Sequence, residues 1–97
     1  MSTLSTSVAL PAVVMQAQAQ AVADALVRVL TADVEQGGQA VLDASALTQF
    51  DSSALAVVLA CRRAVLAKGA QLRITGLPER AQALATVYGL SDLLASV

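Results

Sequence analysis

The sequence predicts an α/β domain in which three main helices pack on a small, mostly parallel sheet of three to four strands. First, segments with helical periodicity alternate with short apolar runs, in the order strand, helix, strand, helix, strand, helix. Second, each connection between successive strands contains a helix, and crossovers of that length join parallel strands. Third, twenty-one of the 97 residues are Ala and only two are aromatic, which suits helices packed close to a sheet. A chain of this length has room for one domain, residues 1–97.

The first predicted strand covers residues 3–10, where polar and apolar residues alternate loosely before Pro11 removes a backbone donor. An amphipathic helix is predicted over residues 15–30, and it ends before Gly37 and Gly38, which suit a turn. The apolar stripe of this helix consists of Met15, Ala19, Val22, Ala25, Leu26, Val29 and Leu30.

The second predicted strand, residues 40–45, is a short apolar run between turn residues, and we expect helices to bury both of its faces. The next helix is predicted over residues 53–68, and Lys68 and Gly69 supply a basic last turn and a stop. The apolar positions that recur at helical spacing are Leu55, Val58, Leu59, Val65 and Leu66.

The third predicted strand covers residues 71–77, where apolar and polar residues alternate. Pro78 suits the first turn of a last helix, Glu79 lies near its positive end, and Gly89 follows just beyond its end. The stripe predicted for this helix contains Leu77, Ala81, Leu84 and Tyr88.

Composition and charge exclude several classes of protein. Six basic and seven acidic side chains give a net charge of -1 without a basic stripe, which argues against nucleic acid as a ligand. The longest uninterrupted apolar stretch, residues 54–61, is far shorter than the roughly 20 residues that span a bilayer, so we expect no direct membrane insertion. The first positive side chain is Arg28, which leaves no basic segment before the apolar core of an export signal. We therefore expect a cytoplasmic protein.

The residue types offer little catalytic machinery. The chain has no His, which excludes Ser-His-Asp and Cys-His systems and removes the commonest metal ligand. Asp43 and Asp51 are the acids expected where strand ends converge, so a hydrolase that uses this carboxylate pair stays open as a minor alternative. Gly37 and Gly38 do not form a phosphate-binding fingerprint, and Cys61 falls on the apolar face of a predicted helix, where a core residue is expected. We predict no enzyme activity, no cofactor and no metal site.

A polar cluster stands directly before the second helix, in the stretch QFDSSALAVVL, residues 49–59. Asp51, Ser52 and Ser53 are each able to cap this helix, but one cap suffices. A surplus hydroxyl at the positive end of a helix would favour a phosphate or a partner's carboxylate. These residues support two interpretations equally: a cluster that only caps the helix, and a cluster that caps the helix and also forms a docking site. Farther along the helix, Arg62 could bind an acidic partner, whereas Arg63 is expected on a solvated face.

Residues 47–94, LTQFDSSALAVVLACRRAVLAKGAQLRITGLPERAQALATVYGLSDLL, resemble the STAS domain, the family of bacterial anti-sigma-factor antagonists and of related modules on transporters. The family signature is an Asp, a Ser or Thr, one or two small residues and a Leu at a helix start. Those positions are Asp51, Ser52, Ser53, Ala54 and Leu55. The resemblance covers about the last sixty residues well and about the first forty loosely.

The resemblance implies that Ser52 is an interaction residue. In the antagonists, a partner kinase phosphorylates the hydroxyl residue directly after the Asp, which would make Ser52 a phosphorylation site. In the MlaB-type STAS subunit of the Mla phospholipid-transport ABC complex, the same position is a Thr that supports contact with the ATPase subunit. The segments VALP, residues 8–11, and ALATVYGLSDLL, residues 83–94, resemble the Mla subunit more closely.

The resemblance therefore implies a non-enzymatic bacterial accessory subunit. It would bind the cytoplasmic ATPase of a phospholipid-transporting ABC complex that serves outer-membrane lipid asymmetry, support the assembly or activity of that complex, and lie peripheral to the inner membrane. The implied alternative is an anti-sigma-factor antagonist that binds an anti-sigma kinase and is regulated by phosphorylation of Ser52. The expected interaction surface consists of Asp51, Ser52, Ser53, Leu55 and Arg62.

Three departures from the family pattern carry consequences. Residues 12–15 stand where the family usually has a Gly-Glu-Leu-Asp turn. Any nucleotide or kinase contact made by the acid of that turn is therefore missing. Ala54 replaces a common Gly and makes the helix start stiffer. The chain begins too late for a full additional N-terminal strand, so a short or unpaired sheet edge would favour a weak homodimer.

Overall fold

A computed structural model of the chain, which describes residues 5–32 and 34–90, contains the predicted strands and helices in the predicted order, together with two short strands. The strands are β1 (Ser5–Ala9), β2 (Val13–Val14), β3 (Gln39–Asp43), β4 (Gln49–Phe50) and β5 (Gln71–Thr75). The helices are α1 (Gln16–Ala32), α2 (Ser52–Ala67) and α3 (Glu79–Val87). The predicted α/β class, with three helices and a mostly parallel sheet, is confirmed. Residues 3 and 4 of the predicted first strand and residues 91–94 of the C-terminal resemblance lie outside the described residues.

The main sheet contains three parallel strands in the order β1-β3-β5. In this register Leu42 of the central strand lies between Val8 and Ile74. Within the described ranges β1 and β5 are the outer strands, so self-association through a sheet edge stays a prediction.

Among residues 5–32 and 34–90, the helices cover only one face of the sheet. Ala40, Leu42 and Ile74 are buried in the core, and they share a face because side chains alternate along a strand. Their neighbours Val41 and Asp43 are only half-buried. The expectation that helices bury both faces of β3 is therefore wrong. Helices α1 and α2 pack on each other and on the face that carries Ala40 and Leu42.

Helices α1 and α2 bury narrower stripes than the sequence pattern predicts. Leu26 and Leu30 are buried, yet Val29 is 50% exposed; Val65 is buried, yet Leu66 is 42% exposed. Val29 and Leu66 are each one position from a buried residue, and one position turns the side chain about 100° around the helix, away from the core. Three more residues that the sequence pattern places on a buried stripe are exposed. They are Met15 and Ala25 of the first predicted helix and Tyr88 of the last.

The two-residue strands β2 and β4 are not predicted by the sequence pattern, because a pair of residues shows no periodicity. They pair in parallel, Val13 with Gln49 and Val14 with Phe50. α1 begins two residues after β2, and α2 begins two residues after β4. The short ladder therefore brings the N-termini of the two helices side by side.

Candidate functional site

Asp51 connects the starts of two helices. It is the N-cap of α2, and its Oδ1 accepts a hydrogen bond from the Ser53 backbone N–H at 2.8 Å. Its Oδ2 accepts a second bond, at 3.2 Å, from the backbone N–H of Gln16, the first residue of α1. The first N–H groups of a helix have no partner within the helix, so one carboxylate satisfies an unpaired donor at each of two helix ends.

These hydrogen bonds favour the charged form of Asp51. The Ser53 backbone N–H makes the largest contribution and lowers the pKa of the carboxyl below its usual value of 3.8, although burial opposes the shift. The Ser53 hydroxyl and the Gln16 N–H lower the pKa further. Asp51 is therefore a carboxylate near neutral pH, held by backbone donors at the positive ends of α1 and α2.

Ser52 is the surplus hydroxyl that the sequence indicated. Asp51 supplies the cap, and Ser53 is half-buried with its backbone N–H and hydroxyl turned to that carboxylate. Ser52 is exposed, and within the described part of the chain its hydroxyl has no hydrogen-bond partner. Its side chain is thus available to a molecule outside the domain.

Ser52 is among the residues that line an open groove of about 500 Å³ between the start of α2 and one side of α3. The groove is lined by Phe50, Asp51, Ser52, Arg80, Ala83, Leu84, Val87 and Tyr88. Strand β4 contributes Phe50, and the start of α2 contributes its polar end. The rest of the lining comes from α3 and from the residue that follows it.

The α3 wall of the groove is apolar and exposed, with one cation. Val87 is 79% exposed and Tyr88 is 56% exposed. The guanidinium carbon of Arg80 lies 5.0 Å from the centroid of the Phe50 ring, within cation–π range. Sequence analysis missed Arg80 and Val87 as site residues and assigned Tyr88 to the core. Val87 carried a usable signal, because it is an apolar residue off the predicted stripe of α3.

Two of the residues expected on the interaction surface, Leu55 and Arg62, do not line the groove. Leu55 is only 3% exposed and packs in the hydrophobic core, so it supports the start of α2 from beneath and cannot touch a partner directly. Arg62 is half-buried on α2 and does not line the groove, while Arg63 is exposed, as expected.

Asp43 and Asp51 do not both line the groove between α2 and α3. The Asp43 Oδ1 accepts a hydrogen bond from the Ser45 backbone N–H at 2.9 Å, and this N–H, with the Ser45 hydroxyl, lowers the pKa of the Asp43 carboxyl. Asp43 does not line the groove that contains Asp51. Both carboxylates accept hydrogen bonds from backbone N–H groups, Asp43 from Ser45 and Asp51 from Ser53 and Gln16.

The remaining candidates for chemistry do not form a site. Cys61 is fully buried, and burial raises the pKa of its thiol to about 11, so it is a core residue as predicted. Among residues 5–32 and 34–90, no group of three His, Cys, Asp or Glu side chains could hold a metal ion. No helix in the described ranges is long and apolar enough to cross a membrane.

The described chain is thus a small α/β domain with a parallel sheet of three strands, and the capped start of α2 contributes to an exposed groove. The family model described as Mlab, STAS domain matches residues 3–95. The chain therefore belongs to the STAS domain family, which confirms the family to which the resemblance pointed. STAS domains are generally binding or regulatory domains rather than enzymes. A search of curated proteins found no significant match to the chain.

Proposed function

We propose that this STAS domain is an accessory subunit that binds the cytoplasmic ATPase of a phospholipid-transporting ABC complex of the Mla type. It supports the assembly or activity of that complex, and it lies peripheral to the inner membrane through its partner. The binding surface includes the start of α2, with Asp51, Ser52 and Ser53. The observation that carries the proposal is Ser52, an exposed hydroxyl in a groove that also has apolar lining residues.

Each residue at the start of α2 has its own part in this surface. Asp51 holds the helix start in place through hydrogen bonds to Ser53 and Gln16. Ser53 stays half-buried beside the carboxylate, and Ser52 presents its hydroxyl to the partner. The match of the Mlab-type family model to residues 3–95 supports a transporter partner over other STAS partners.

A pull-down from the native host in mild detergent tests the proposal. We expect tagged wild-type protein to retain an ABC ATPase together with its permease, and Ser52→Asp to lower that recovery about tenfold, because a charge enters the contact. Ala21→Asp is the matched control, since Ala21 is exposed on α1 and does not line the groove. Unchanged ATPase recovery and activity with Ser52→Asp would count against the proposed surface. Wild-type protein that retains no ABC ATPase would remove the function itself.

A second candidate function is an anti-sigma-factor antagonist. The observation that favours it is the same exposed Ser52 hydroxyl directly after Asp51. A cognate kinase would transfer the γ-phosphoryl group of ATP to Ser52 Oγ, release ADP and add a charge of roughly −1.5 to −2 at the groove rim. Where this family usually has an acidic turn, the chain instead has β2, with Val14 buried in the core. That substitution favours the transporter function.

Incubation with purified host kinases and labelled ATP separates the two functions. The antagonist hypothesis expects stoichiometric phosphate on Ser52 that disappears in Ser52→Ala, and recovery of a soluble kinase in the pull-down. If no host kinase labels the protein, the antagonist hypothesis is wrong and the transporter proposal is untouched.

A further inference from the structure

We propose that residues 12–16 position the Ser52 end of α2, and that the backbone N–H of Gln16 does so through the Asp51 carboxylate. This inference rests on the proposed function, in which the Ser52 hydroxyl faces the ATPase. It adds a positioning role for the segment that leads into α1, where the Asp-Ser signature of the family has no residue.

The Ser52 side chain does not hold itself in place. Its hydroxyl is exposed and has no hydrogen-bond partner within the described part of the chain. The direction of this side chain is therefore set by the backbone on either side of it. Ser53, which follows, is bonded to Asp51, and residues 48–51, which precede it, are bonded to residues 12–16.

The Ala12 carbonyl holds the chain just before α2. It accepts hydrogen bonds from the backbone N–H groups of Thr48 and Gln49, at 2.8 and 3.0 Å, and from the Thr48 hydroxyl at 3.3 Å. The β2–β4 ladder continues this contact as far as Phe50. The chain that enters α2 is therefore fixed by residues 12–14.

The core anchors this segment, so it can serve as a rigid reference for α2. Val14 has no exposed surface, and Leu10, just before the segment, is 1% exposed. The backbone N–H of Leu10 also donates to the Asp43 carbonyl at the end of β3, at 2.8 Å. Buried side chains are restrained by close packing. The segment is thus fixed both to the core and to the main sheet.

Gln16 completes the contact at the helix cap. Its backbone N–H donates to Asp51 Oδ2 at 3.2 Å, while Asp51 Oδ1 accepts a bond from the Ser53 N–H at 2.8 Å. A carboxylate that is bonded at both oxygens cannot rotate without losing a hydrogen bond. The Gln16 N–H therefore fixes the cap, and the cap fixes the first turn of α2, which contains Ser52. A hydroxyl that is held in one direction before binding loses less conformational freedom when a partner docks.

The variant Gln16→Pro tests the role of this N–H. Gln16 is the first residue of α1 and its side chain is exposed, and Pro is favoured at the first position of a helix. We expect the variant to fold, to raise the pKa of Asp51, and to bind the co-purified ABC ATPase about fivefold more weakly than wild type. Gln16→Ala is the matched control, because it removes the same side chain but retains the N–H. It should bind like wild type.

A pH titration followed by NMR detects the positioning contact without the ATPase. In wild type, the backbone amide signals of Gln16 and Ser53 should shift together as one carboxyl titrates below the usual pKa of 3.8. In Gln16→Pro, amide hydrogen exchange at Ser53 should be about fivefold faster, because its acceptor is held less firmly. A wild-type Gln16 signal that does not follow the carboxyl would overturn the inference, even if Gln16→Pro did not fold.

Failure of this inference and failure of the proposed function give different results. If Gln16→Pro raises the pKa of Asp51 but binds the ATPase like wild type, the positioning inference is overturned and the proposed function stands. Equal loss of binding in Gln16→Pro and Gln16→Ala would also overturn it, because the contact would then belong to the side chain. If wild-type protein captures no ABC ATPase, the proposed function fails, and the titration and the exchange at Ser53 still decide whether Gln16 holds the start of α2.

Discussion

At the scale of single residues, Asp51 joins two chain segments that lie 35 positions apart, through its bonds to Ser53 and Gln16. The two serines that follow Asp51 have different environments. Ser53 turns toward the carboxylate, and Ser52 faces solvent. The local sequence predicted a cap and a surplus hydroxyl. It did not predict the bond to Gln16, because that bond depends on the pairing of β2 with β4.

The lowered pKa of Asp51 makes its contribution to stability dependent on pH. A carboxyl whose pKa is lower in the folded than in the unfolded state stabilises the fold above its unfolded pKa, and this stabilisation is lost as the pH falls through the folded pKa. We expect Asp51→Asn to have a lower melting temperature than wild type at pH 7, and the difference to shrink as the pH falls below the usual value of 3.8.

Thermal unfolding of wild type and Asp51→Asn across this pH range is the measurement. Asp43, whose pKa is also lowered, titrates in both proteins, so the comparison cancels its contribution. A difference in melting temperature that stays constant down to pH values of about 2 would show that the charge of Asp51 is not what holds the two helices.

At the scale of elements, the turns that follow neighbouring strands leave different amounts of space around their glycines. Gly76 follows β5 with φ at 67°, and a Cβ built there would lie 2.8 Å from the Ser45 Cβ and 3.1 Å from the Ser45 backbone N. Gly37 also has positive φ, at 81°, but a Cβ there would meet nothing within 4 Å. The two glycines share the conformational requirement and differ in the space around them.

We expect Gly76→Ala to destabilise the protein by about 3 kcal/mol and Gly37→Ala by about 1 kcal/mol. Both variants place an L side chain in the left-handed region, which costs roughly 1–2 kcal/mol, and Gly76→Ala adds a clash that the Ser45 backbone must relieve. Urea unfolding of both variants beside wild type measures the difference. Equal destabilisation would mean that the turn between β3 and β4 moves aside freely.

The buried faces of the helices show which core residues sequence periodicity predicts and which it does not. The period indicates that α1 and α2 are amphipathic, and it correctly includes Leu26, Leu30 and Val65 in the core. It does not set the edges of each stripe, so Val29 and Leu66 are exposed although they are as apolar as their buried neighbours. The edge of the buried stripe depends on the width of the surface that other helices and strands present to the helix. The sequence of one helix does not contain that information.

At the scale of the whole molecule, the sheet has one buried face and one open face. The open face of the central strand carries Val41, which lies in register between Ser7 and Arg73. The buried face carries Leu42, with no exposed surface. A short apolar strand is typical of a strand covered on both sides, yet the helices of the described chain cover only one.

We expect Leu42→Ala to cost about 3 kcal/mol and Val41→Thr less than about 1 kcal/mol, because only Leu42 leaves a cavity in the core. A small domain has a free energy of unfolding of about 5–15 kcal/mol, so the first change removes a large share of it. Chemical denaturation of the two variants measures both values. Similar losses at the two positions would show that a further layer covers the open face.

The sequence by itself determined the order of strands and helices, most of the core, the helix cap before α2 and the STAS signature at Asp51 and Ser52. These features depend on residues close together in the chain, where periodicity, turn residues and caps act. Only the tertiary structure decided that the sheet is covered on one face, that β2 and β4 pair, and that Asp51 reaches Gln16. It also decided that Arg80, Val87 and Tyr88 of the α3 region form a groove with Ser52. Such features depend on contacts between distant segments, and local free energies do not specify which segments meet.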